Sequence, residues 1–372
     1  MRWVFWGSAG IIAYAYVGYA GWLYLRSRMR PKPVQQTPFV PAVSIVMVVR
    51  NEQGVLEKKL QNLGELHYPK DSFEIVVVSD GSTDRTEEIL REHAVDDHVR
   101  VVLNPHSLGK AACLSDAIQI VRGEVVVFTD ARQMIEPDAV RLLAENFGDP
   151  TVGCVSGQLM LGDMNSGDSG RGLGLYWKIE KKIRALEAAS GSVVGATGAL
   201  YAVRRENLVQ VPTGTILDDV YLPMNVVRQG KRVVFDARAK AWDQPDLGAD
   251  REFARKVRTL SGNYQLLQLA PWLLGSSNPI RFEFVSHKLM RLLVPFALMG
   301  TLLASLFLTA PLYRAALIAQ VAFYGLSLLA MLHVPGPLAR LTDGAYTFVM
   351  LNAAALVAFA NFVTGRKAAW SR

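Results

Sequence analysis

The chain has 372 residues, of which 51% are hydrophobic, and its mean hydropathy of +0.19 excludes an ordinary soluble domain and indicates a membrane protein with a soluble part. The formal net charge of +7 is typical of segments that face anionic lipid. Nucleic-acid binding is disfavoured because no basic motif is interleaved with aromatic residues. Cys113 and Cys154 form neither a metal-ligand spacing nor a disulfide framework, which indicates a reducing compartment.

The N-terminal segment predicts a membrane anchor. Residues 3–25 are apolar over a length that can cross a bilayer as a helix, and cationic residues follow directly at 26, 28, 30 and 32. A cleaved signal peptide would carry its charges before a shorter apolar core, so we interpret residues 1–30 as a retained anchor with a cytoplasmic flank. A buried soluble helix is the less favoured alternative. Four prolines between 31 and 41 then predict a stiff linker.

The next region alternates short apolar runs with helical patterns. Residues 44–49, 74–79, 99–103 and 124–129 are rich in β-branched residues, as strands covered on both faces are. Helices are predicted over 55–65, 85–93 and 110–121. This alternation predicts an α/β fold with a doubly wound, mostly parallel sheet, whose ligands bind outside the carboxyl ends of the strands.

Charged residues follow three of these strands: Arg50 and Glu52, then Asp80 with Gly81, then Asp130 with Arg132. Carboxylates at one sheet edge suit ribose hydroxyls, a base edge or a bound cation. Lys110 begins a predicted helix after Gly109, and a cation at a helix N-terminus favours an anion site. The alternatives are a capped turn at residues 80–82 and a solvated surface lysine.

Two later segments carry candidate chemistry. Asp218 and Asp219 open a helical pattern, where two acids serve either as helix-dipole partners or as a general base for an attacking alcohol. Arg255, Lys256 and Arg258 precede the apolar C-terminal part, where they attract lipid headgroups or bind a departing diphosphate.

The C-terminal part predicts membrane helices. Residues 264–286 resemble interfacial helices, and three apolar runs follow at 292–310, 315–333 and 345–363. The expected domains are therefore an anchor over 1–30, a soluble domain over 40–260, interfacial helices over 261–288 and transmembrane helices over 289–372. Four spans would place the basic tail outside, against the positive-inside tendency, so the span count stays open.

These segments together resemble the membrane-embedded family 2 glycosyltransferases, which include cellulose, hyaluronan and chitin-oligosaccharide synthases. The matching segments, in order, are RNE (50–52), DGSTD (80–84), GKAACLSDAI (109–118), TDAR (129–132), TGA (197–199), DD (218–219) and RKVRT (255–259). The resemblance implies a GT-A fold, a nucleoside-diphosphate sugar donor with UDP as the expected nucleotide, inversion at the anomeric carbon, and Mg²⁺ or Mn²⁺ as cofactor.

The resemblance also implies roles for individual residues. The expected donor contacts are Arg50, Glu52, Asp80, Gly81, Lys110, Asp130, Arg132 and Arg258; the expected acceptor contacts are Thr197, Gly198 and Ala199; and the expected catalytic pair is Asp218 and Asp219. Within these sets, the resemblance implies that Asp80 holds the nucleobase and that Asp130 faces the diphosphate or its metal. It also implies that Arg258 binds the leaving phosphates and that Asp219 is the base.

Two positions depart from the family pattern. Arg132 replaces the second acid of Asp-x-Asp; a guanidinium cannot bind a metal but can hold phosphate oxygens bidentately. We therefore expect Asp130 to meet the cation through one carboxylate while Arg132 offsets leaving-group charge. Thr259 replaces a tryptophan that stacks on the acceptor in the synthases, which argues against a long-polymer channel.

The sequence thus predicts an inverting transferase with a cytoplasmic catalytic domain, multi-pass in a bacterial-type inner or plasma membrane. It would act on a membrane-associated acceptor in exopolysaccharide or oligosaccharide assembly, with other secretion subunits as possible partners. The alternatives are single-sugar transfer to a lipid, such as a polyprenyl phosphate or glycolipid, and a non-catalytic nucleotide-sugar-binding subunit of a secretion complex. A transporter is disfavoured because no predicted span carries a mid-membrane charge.

Overall fold

The computed structural model describes residues 1–162, 164, 174–244, 249–332 and 337–366. Within these residues, one mixed sheet has the strand order β3-β2-β1-β4-β7-β6-β8-β5. The strands are β1 Val43–Val49, β2 Phe73–Asp80, β3 Val99–Asn104, β4 Val125–Thr129, β5 Met134–Ile135, β6 Val152–Leu161, β7 Leu200–Arg204 and β8 Arg232–Asp243.

The two halves of the sheet differ in strand direction. Strands β3, β2, β1 and β4 are all parallel, and every residue of β1 and β4 is buried, as their unbroken apolar sequences predict. Strand β7 runs antiparallel between β4 and β6, while β6 pairs in parallel with β8. The predicted doubly wound α/β fold is confirmed, and the parallel arrangement brings the ends of β1, β2 and β4 to one edge.

The described helices flank this sheet and extend beyond it. They are α1 Arg2–Ala13, α2 Tyr19–Met29, α3 Leu56–Gly64, α4 Thr86–His93, α5 Lys110–Ile120, α6 Ala139–Glu145, α7 Gly174–Ser190, α8 Asp218–Arg228, α9 Ala249–Leu269, α10 Arg281–Phe284, α11 Met290–Phe307, α12 Pro311–Leu329 and α13 Pro337–Val363. The helices predicted at 55–65, 85–93 and 110–121 correspond to α3, α4 and α5.

Three helical segments among the described residues are long and apolar enough to cross a membrane: Arg281–Phe307, Pro311–Leu332 and Leu341–Val363. Helix α10 continues through a π-helical turn, Val285–Leu289, directly into α11, and the interfacial placement of residues 261–288 stays a prediction. The N-terminal helices α1 and α2 are also joined by a π-helical turn, Tyr14–Gly18. Helix α1 packs against α11, with Ser8 against Gly300, a close approach that small residues permit. A fourth span at the N-terminus stays a prediction.

Candidate active site

The loops that follow β1 and β2 are fixed to each other. Gly81 has φ of +62°, and a Cβ there would lie 2.5 Å from the backbone nitrogen of Ser107, so only glycine fits. Asn51 has φ of 53°, and its Oδ1 accepts a hydrogen bond of 2.8 Å from the backbone nitrogen of Thr83. These contacts fix the two loops to each other at the strand-end edge of the sheet. Arg50 lies half-buried next to them.

Asp80 is fully buried at the end of β2. Its carboxylate accepts hydrogen bonds from the backbone nitrogens of Leu108 at 2.6 Å and Gly109 at 3.1 Å, and from Ser107 Oγ at 2.8 Å. Asp80 thus positions the loop that delivers Lys110. Its expected contact with a nucleobase stays a prediction, and that contact would have to share oxygens that already accept several bonds.

Lys110 lies between acids from two parts of the chain. Its Nζ is 2.8 Å from Asp130 Oδ1, at the end of β4, and 3.8 Å from Asp218 Oδ2, in the first turn of α8. Burial alone would lower the pKa of Lys110, but Asp130 and Asp218 outweigh it and hold the pKa above its ordinary value. Lys110 is therefore a fixed positive charge between β4 and α8.

Asp219 contacts the loop formed by Thr197, Gly198 and Ala199. The Gly198 backbone nitrogen donates to Asp219 Oδ2 at 3.2 Å. The other end of the loop reaches β4, since Thr129 Oγ1 donates to the Ala199 carbonyl at 2.9 Å. The predicted acceptor loop therefore joins the strand end that carries Asp130 to the predicted base.

The two acids of α8 share raised pKa values. Burial and the adjacent Asp218 charge raise the pKa of Asp219 to about 6, with Lys110 opposing them. Burial also raises the pKa of Asp218, against the opposing charges of Lys110 and Arg258. Asp219 is thus a carboxylate at neutral pH with the elevated basicity that proton abstraction requires. Half-buried Arg258, on α9, is therefore close enough to Asp218 for its charge to act on that carboxylate.

Arg132 forms an ion pair with Glu52 across the strand ends. Its Nε is 3.2 Å from Glu52 Oε1, and the Arg132 side chain is 57% exposed. The position where the family carries a second acid therefore holds a cation bound to the acid of the neighbouring loop.

The described residues contain no group of three or more His, Cys, Asp or Glu side chains that could enclose a metal by themselves. Mg²⁺, however, is commonly held by one or two carboxylates together with substrate phosphates. Asp130 fits that arrangement, because Lys110 engages only its Oδ1 and the side chain is 40% exposed.

Sequence reasoning missed Lys59. This fully buried residue of α3 donates from Nζ to Thr129 Oγ1 at 3.0 Å and to the Gln133 carbonyl at 2.5 Å. Burial lowers its pKa to about 7, with Asp130 opposing that effect. Lys59 therefore holds both ends of the loop that carries Asp130 and Arg132. The sequence signal that could have identified Lys59 as a buried residue is its position on the apolar face of the amphipathic helix α3.

A buried polar network separates the site from the apolar helices. His287 lies between two carboxylates of α7, with Nδ1 2.8 Å from Glu187 and Nε2 3.0 Å from Glu180. Glu187 also accepts a 2.6 Å hydrogen bond from the Tyr19 hydroxyl, and Glu180 pairs with Arg291 at 2.7 Å. These bonds join α2, α7 and the Arg281–Phe307 segment to the sheet domain.

Comparison with known proteins identifies a family for the sheet domain. The family described as Glycosyl transferase family 2 matches residues 44–210, which confirms the resemblance predicted from the motifs. A beta-monoglucosyldiacylglycerol synthase from Nostoc sp. is 30% identical over 158 residues, 41% of this chain and 33% of that protein. A poly-beta-1,6-N-acetyl-D-glucosamine synthase from Staphylococcus aureus is 24% identical over 252 residues, 65% of this chain and 60% of that protein. The chain therefore matches a third to three-fifths of the length of these relatives.

One solved structure is similar over almost its whole length. The mannosyltransferase PcManGT from Pyrobaculum calidifontis, in complex with GDP-Man and Mn²⁺, aligns with a TM-score of 0.73 and 22% identity. The alignment covers 96% of this chain and 98% of that one. The likeness establishes a shared fold.

Proposed function

Since the chain carries a glycosyltransferase family 2 domain over residues 44–210, we propose that it is an inverting glycosyltransferase that moves a sugar from a nucleoside-diphosphate sugar to a hydroxyl of a membrane-associated acceptor. The observation that carries this proposal is the arrangement around Lys110. Lys110 forms ion pairs with Asp130 on one side and Asp218 on the other. Asp219, the next residue in the chain after Asp218, has a raised pKa.

The chemistry is a single displacement. Asp219 removes the proton from the acceptor hydroxyl, the acceptor oxygen forms a bond to the anomeric carbon, and the bond between that carbon and the diphosphate oxygen breaks. Lys110 and Arg258 stabilise the negative charge that develops on the departing diphosphate. The backbone nitrogen of Gly198 holds Asp219 in place for proton transfer, and the loop it belongs to lies where an acceptor would bind.

A divalent cation fits the donor side of this site. Asp130 would hold Mg²⁺ or Mn²⁺ through one carboxylate, and the ion would neutralise diphosphate charge when bound. Support comes from the Asp130 side chain, which is 40% exposed, and from PcManGT, whose structure is a complex with Mn²⁺. Arg132 supplies a further positive charge beside the same phosphates, and Glu52 orients it.

The donor nucleotide is proposed as UDP, although PcManGT holds GDP-Man. The test is a panel of UDP-linked glucose, N-acetylglucosamine, galactose and glucuronate, together with GDP-mannose. Purified full-length protein in nanodiscs is assayed for nucleotide release, with and without excess chelator. We expect one donor to be preferred and release to fall in chelator. Absence of both binding and turnover for every donor would contradict the proposal, and full activity in chelator would remove the metal from it.

The acceptor is proposed to be held by the membrane, in exopolysaccharide or oligosaccharide assembly on the cytoplasmic side. The curated relatives include both a polysaccharide synthase and a glycolipid synthase. The second candidate, transfer of one sugar to a lipid, is favoured by exposed Thr259, which leaves no aromatic platform at that position of α9. Mass analysis of the product distinguishes the two, because a single added sugar excludes polymerisation.

A further inference from the structure

Lys59 is a fully buried cation that the proposed mechanism does not use. Its side chain, on α3, is 0% exposed and forms no ion pair with any carboxylate of the described residues. Burying an ammonium group without a carboxylate partner is costly, so its hydrogen bonds have to compensate. A position that served packing alone would carry an apolar side chain, as Leu56, Leu60 and Leu63 do on the same face. The hydrogen-bond partners of Lys59 therefore indicate why a lysine occupies this position.

The partners of Lys59 lie on either side of Asp130 and Arg132. Its Nζ donates to Thr129 Oγ1 at 3.0 Å, at the end of β4, and to the Gln133 carbonyl at 2.5 Å. An ammonium group can only donate, so Thr129 Oγ1 accepts this bond and its single hydrogen is available for a different acceptor. Lys59 therefore restricts the directions in which the Thr129 hydroxyl can donate.

The Thr129 hydroxyl donates to the acceptor loop. Thr129 is buried, and its Oγ1 lies 2.9 Å from the Ala199 carbonyl, compared with 3.5 Å from the carbonyl of Asp130. One residue before Ala199, the Gly198 backbone nitrogen donates to Asp219 Oδ2 at 3.2 Å. Two hydrogen bonds and the short backbone segment between them thus connect Thr129 with the carboxylate of Asp219.

The sheet ladder does not hold Ala199 against β4. Pairing of β4 with β7 ends where Thr129 lies opposite Leu200, so Ala199 lies beyond the last pair. A second anchor of the loop, the 3.0 Å hydrogen bond from the Thr197 backbone nitrogen to Ser156 Oγ, leads to β6. The Thr129 hydroxyl therefore supplies the side-chain contact between the acceptor loop and the strand end of the donor residues.

From these contacts we propose that Lys59 is a positioning residue: by fixing the Thr129 hydroxyl, it sets the acceptor loop, and with it Asp219, at its distance from Asp130. The role of Asp219 as the base rests on the proposed function, but the order of the acceptor loop can be measured without any sugar transfer. A buried residue of α3 thus aligns the donor and acceptor sides of the site.

Amide hydrogen exchange measures the order of the acceptor loop. Purified full-length protein in nanodiscs is compared with Thr129→Val, which keeps the shape but loses the hydroxyl, and with Thr129→Ser, which keeps the hydroxyl. We expect exchange across residues 195–200 to rise about threefold or more in Thr129→Val and in Lys59→Met, and to stay near the wild-type rate in Thr129→Ser. Wild-type exchange in Thr129→Val or in folded Lys59→Met would overturn the proposal, and Thr129→Val decides the test if Lys59→Met does not fold.

Asn62 provides the matched control on the same helix. It lies one turn further along α3 and binds the backbone of Ile135 in both directions, at 2.9 Å and 3.0 Å. Asn62→Leu therefore loosens the strand-end segment without removing the bonds of Thr129, and we expect a lowered Tm with unchanged exchange across residues 195–200. Exchange there as fast as in Lys59→Met would show that any loosening against α3 disturbs the loop, and would overturn the positioning role.

Turnover separates this inference from the proposed function. With the donor that the panel identifies, Thr129→Val should lower kcat about tenfold while donor KM changes less than about twofold, and Thr129→Ser should restore kcat. Lys59→Met and Thr129→Val remove the same hydrogen bond, so the double variant should lose little more than either alone. Additive losses, or a wild-type kcat in Thr129→Val, would overturn the inference.

The two proposals can fail separately. If the variants change loop exchange but the wild type shows no turnover with any donor, the enzyme assignment alone is refuted. If the wild type turns over and the variants leave loop exchange unchanged, this inference alone is refuted.

Discussion

Two regions of the protein are held together in different ways. The donor half is the strand-end site around Asp80, Lys110 and Asp130. The membrane-facing half is the buried polar network around Glu180, Glu187 and His287. In the donor half, the charged side chains meet partners from nearby strand ends: Asp80 binds a loop 28 residues on, and Lys110 binds Asp130 20 residues on. In the membrane-facing half, the partners are distant: Glu180 meets His287 over 107 residues, and Tyr19 meets Glu187 over 168.

This difference indicates that donor binding and the attachment of the apolar helices depend on different sets of contacts. The parallel strands bring the donor residues to one edge of the sheet, and Lys59 of α3 and Asp218 of α8 add contacts from the flanking helices. In the membrane-facing half, buried charged and polar groups join α2, α7 and the Arg281–Phe307 segment. Substitutions in the two halves should therefore have different consequences, on chemistry in one and on assembly in the other.

The largest effect is expected where the two halves meet, at Asp219. Asp219→Asn removes the base and should lower kcat by about 10²–10⁴-fold while nucleotide binding persists. Asp250→Asn, an exposed acid in the first turn of α9, is the matched control and should leave kcat unchanged. Steady-state nucleotide release checks both variants. Undiminished turnover in Asp219→Asn would show that the base lies elsewhere.

The membrane-facing half should respond through stability. Glu187→Gln leaves buried His287 and Tyr19 without their charged acceptor, and breaking one partner of a buried ionic network typically costs about 3–5 kcal/mol. Thermal unfolding in detergent should show a Tm lower by several degrees, and exposed Glu206→Gln should show no shift. A wild-type Tm for Glu187→Gln would mean that the network does not hold the two parts together.

The pH dependence of turnover should report the charges around Asp219, where the donor half and the membrane-facing half meet. Because the pKa of Asp219 is about 6, its carboxylate is protonated below that pH, and kcat/KM should fall about tenfold per pH unit on the acid side. Lys110→Gln removes a charge that lowers this pKa, so the residual activity should show its acid limb at higher pH. An acid limb at the same pH as in the wild type would show that the charge of Lys110 does not affect the pKa of Asp219.

The smallest effect is expected for the exposed ion pair of the donor half. A double-mutant cycle with Glu52→Gln and Arg132→Gln should give a coupling of about 0.2–1 kcal/mol in unfolding free energy, because solvent screens Arg132. The same cycle measured as donor affinity should give a larger coupling if Arg132 contacts the diphosphate. Equal couplings in both measurements would limit the pair to a structural role.

The family and the strand-end chemistry followed from local sequence patterns. The apolar runs that become β1, β2 and β4 gave the sheet, and the residues after them marked the edge at which Lys110 and Asp130 meet. The same patterns did not predict that Asp80 would accept hydrogen bonds from the loop before α5. A carboxylate at the end of a strand has the same sequence pattern whether it contacts a ligand or a backbone amide. Nor did they predict Lys59, whose partners lie about 70 residues away.

The sequence by itself determined strands β1 to β4, the order of the charged loops and the apolar C-terminal helices, because burial periodicity and helix length are properties of short segments. Only the tertiary structure decided that β7 enters the sheet antiparallel, that residues 197–199 connect β4 to Asp219, and that His287 joins α7 to the apolar helices. Those features depend on contacts between residues far apart in the chain, and such contacts leave no periodic trace in either segment.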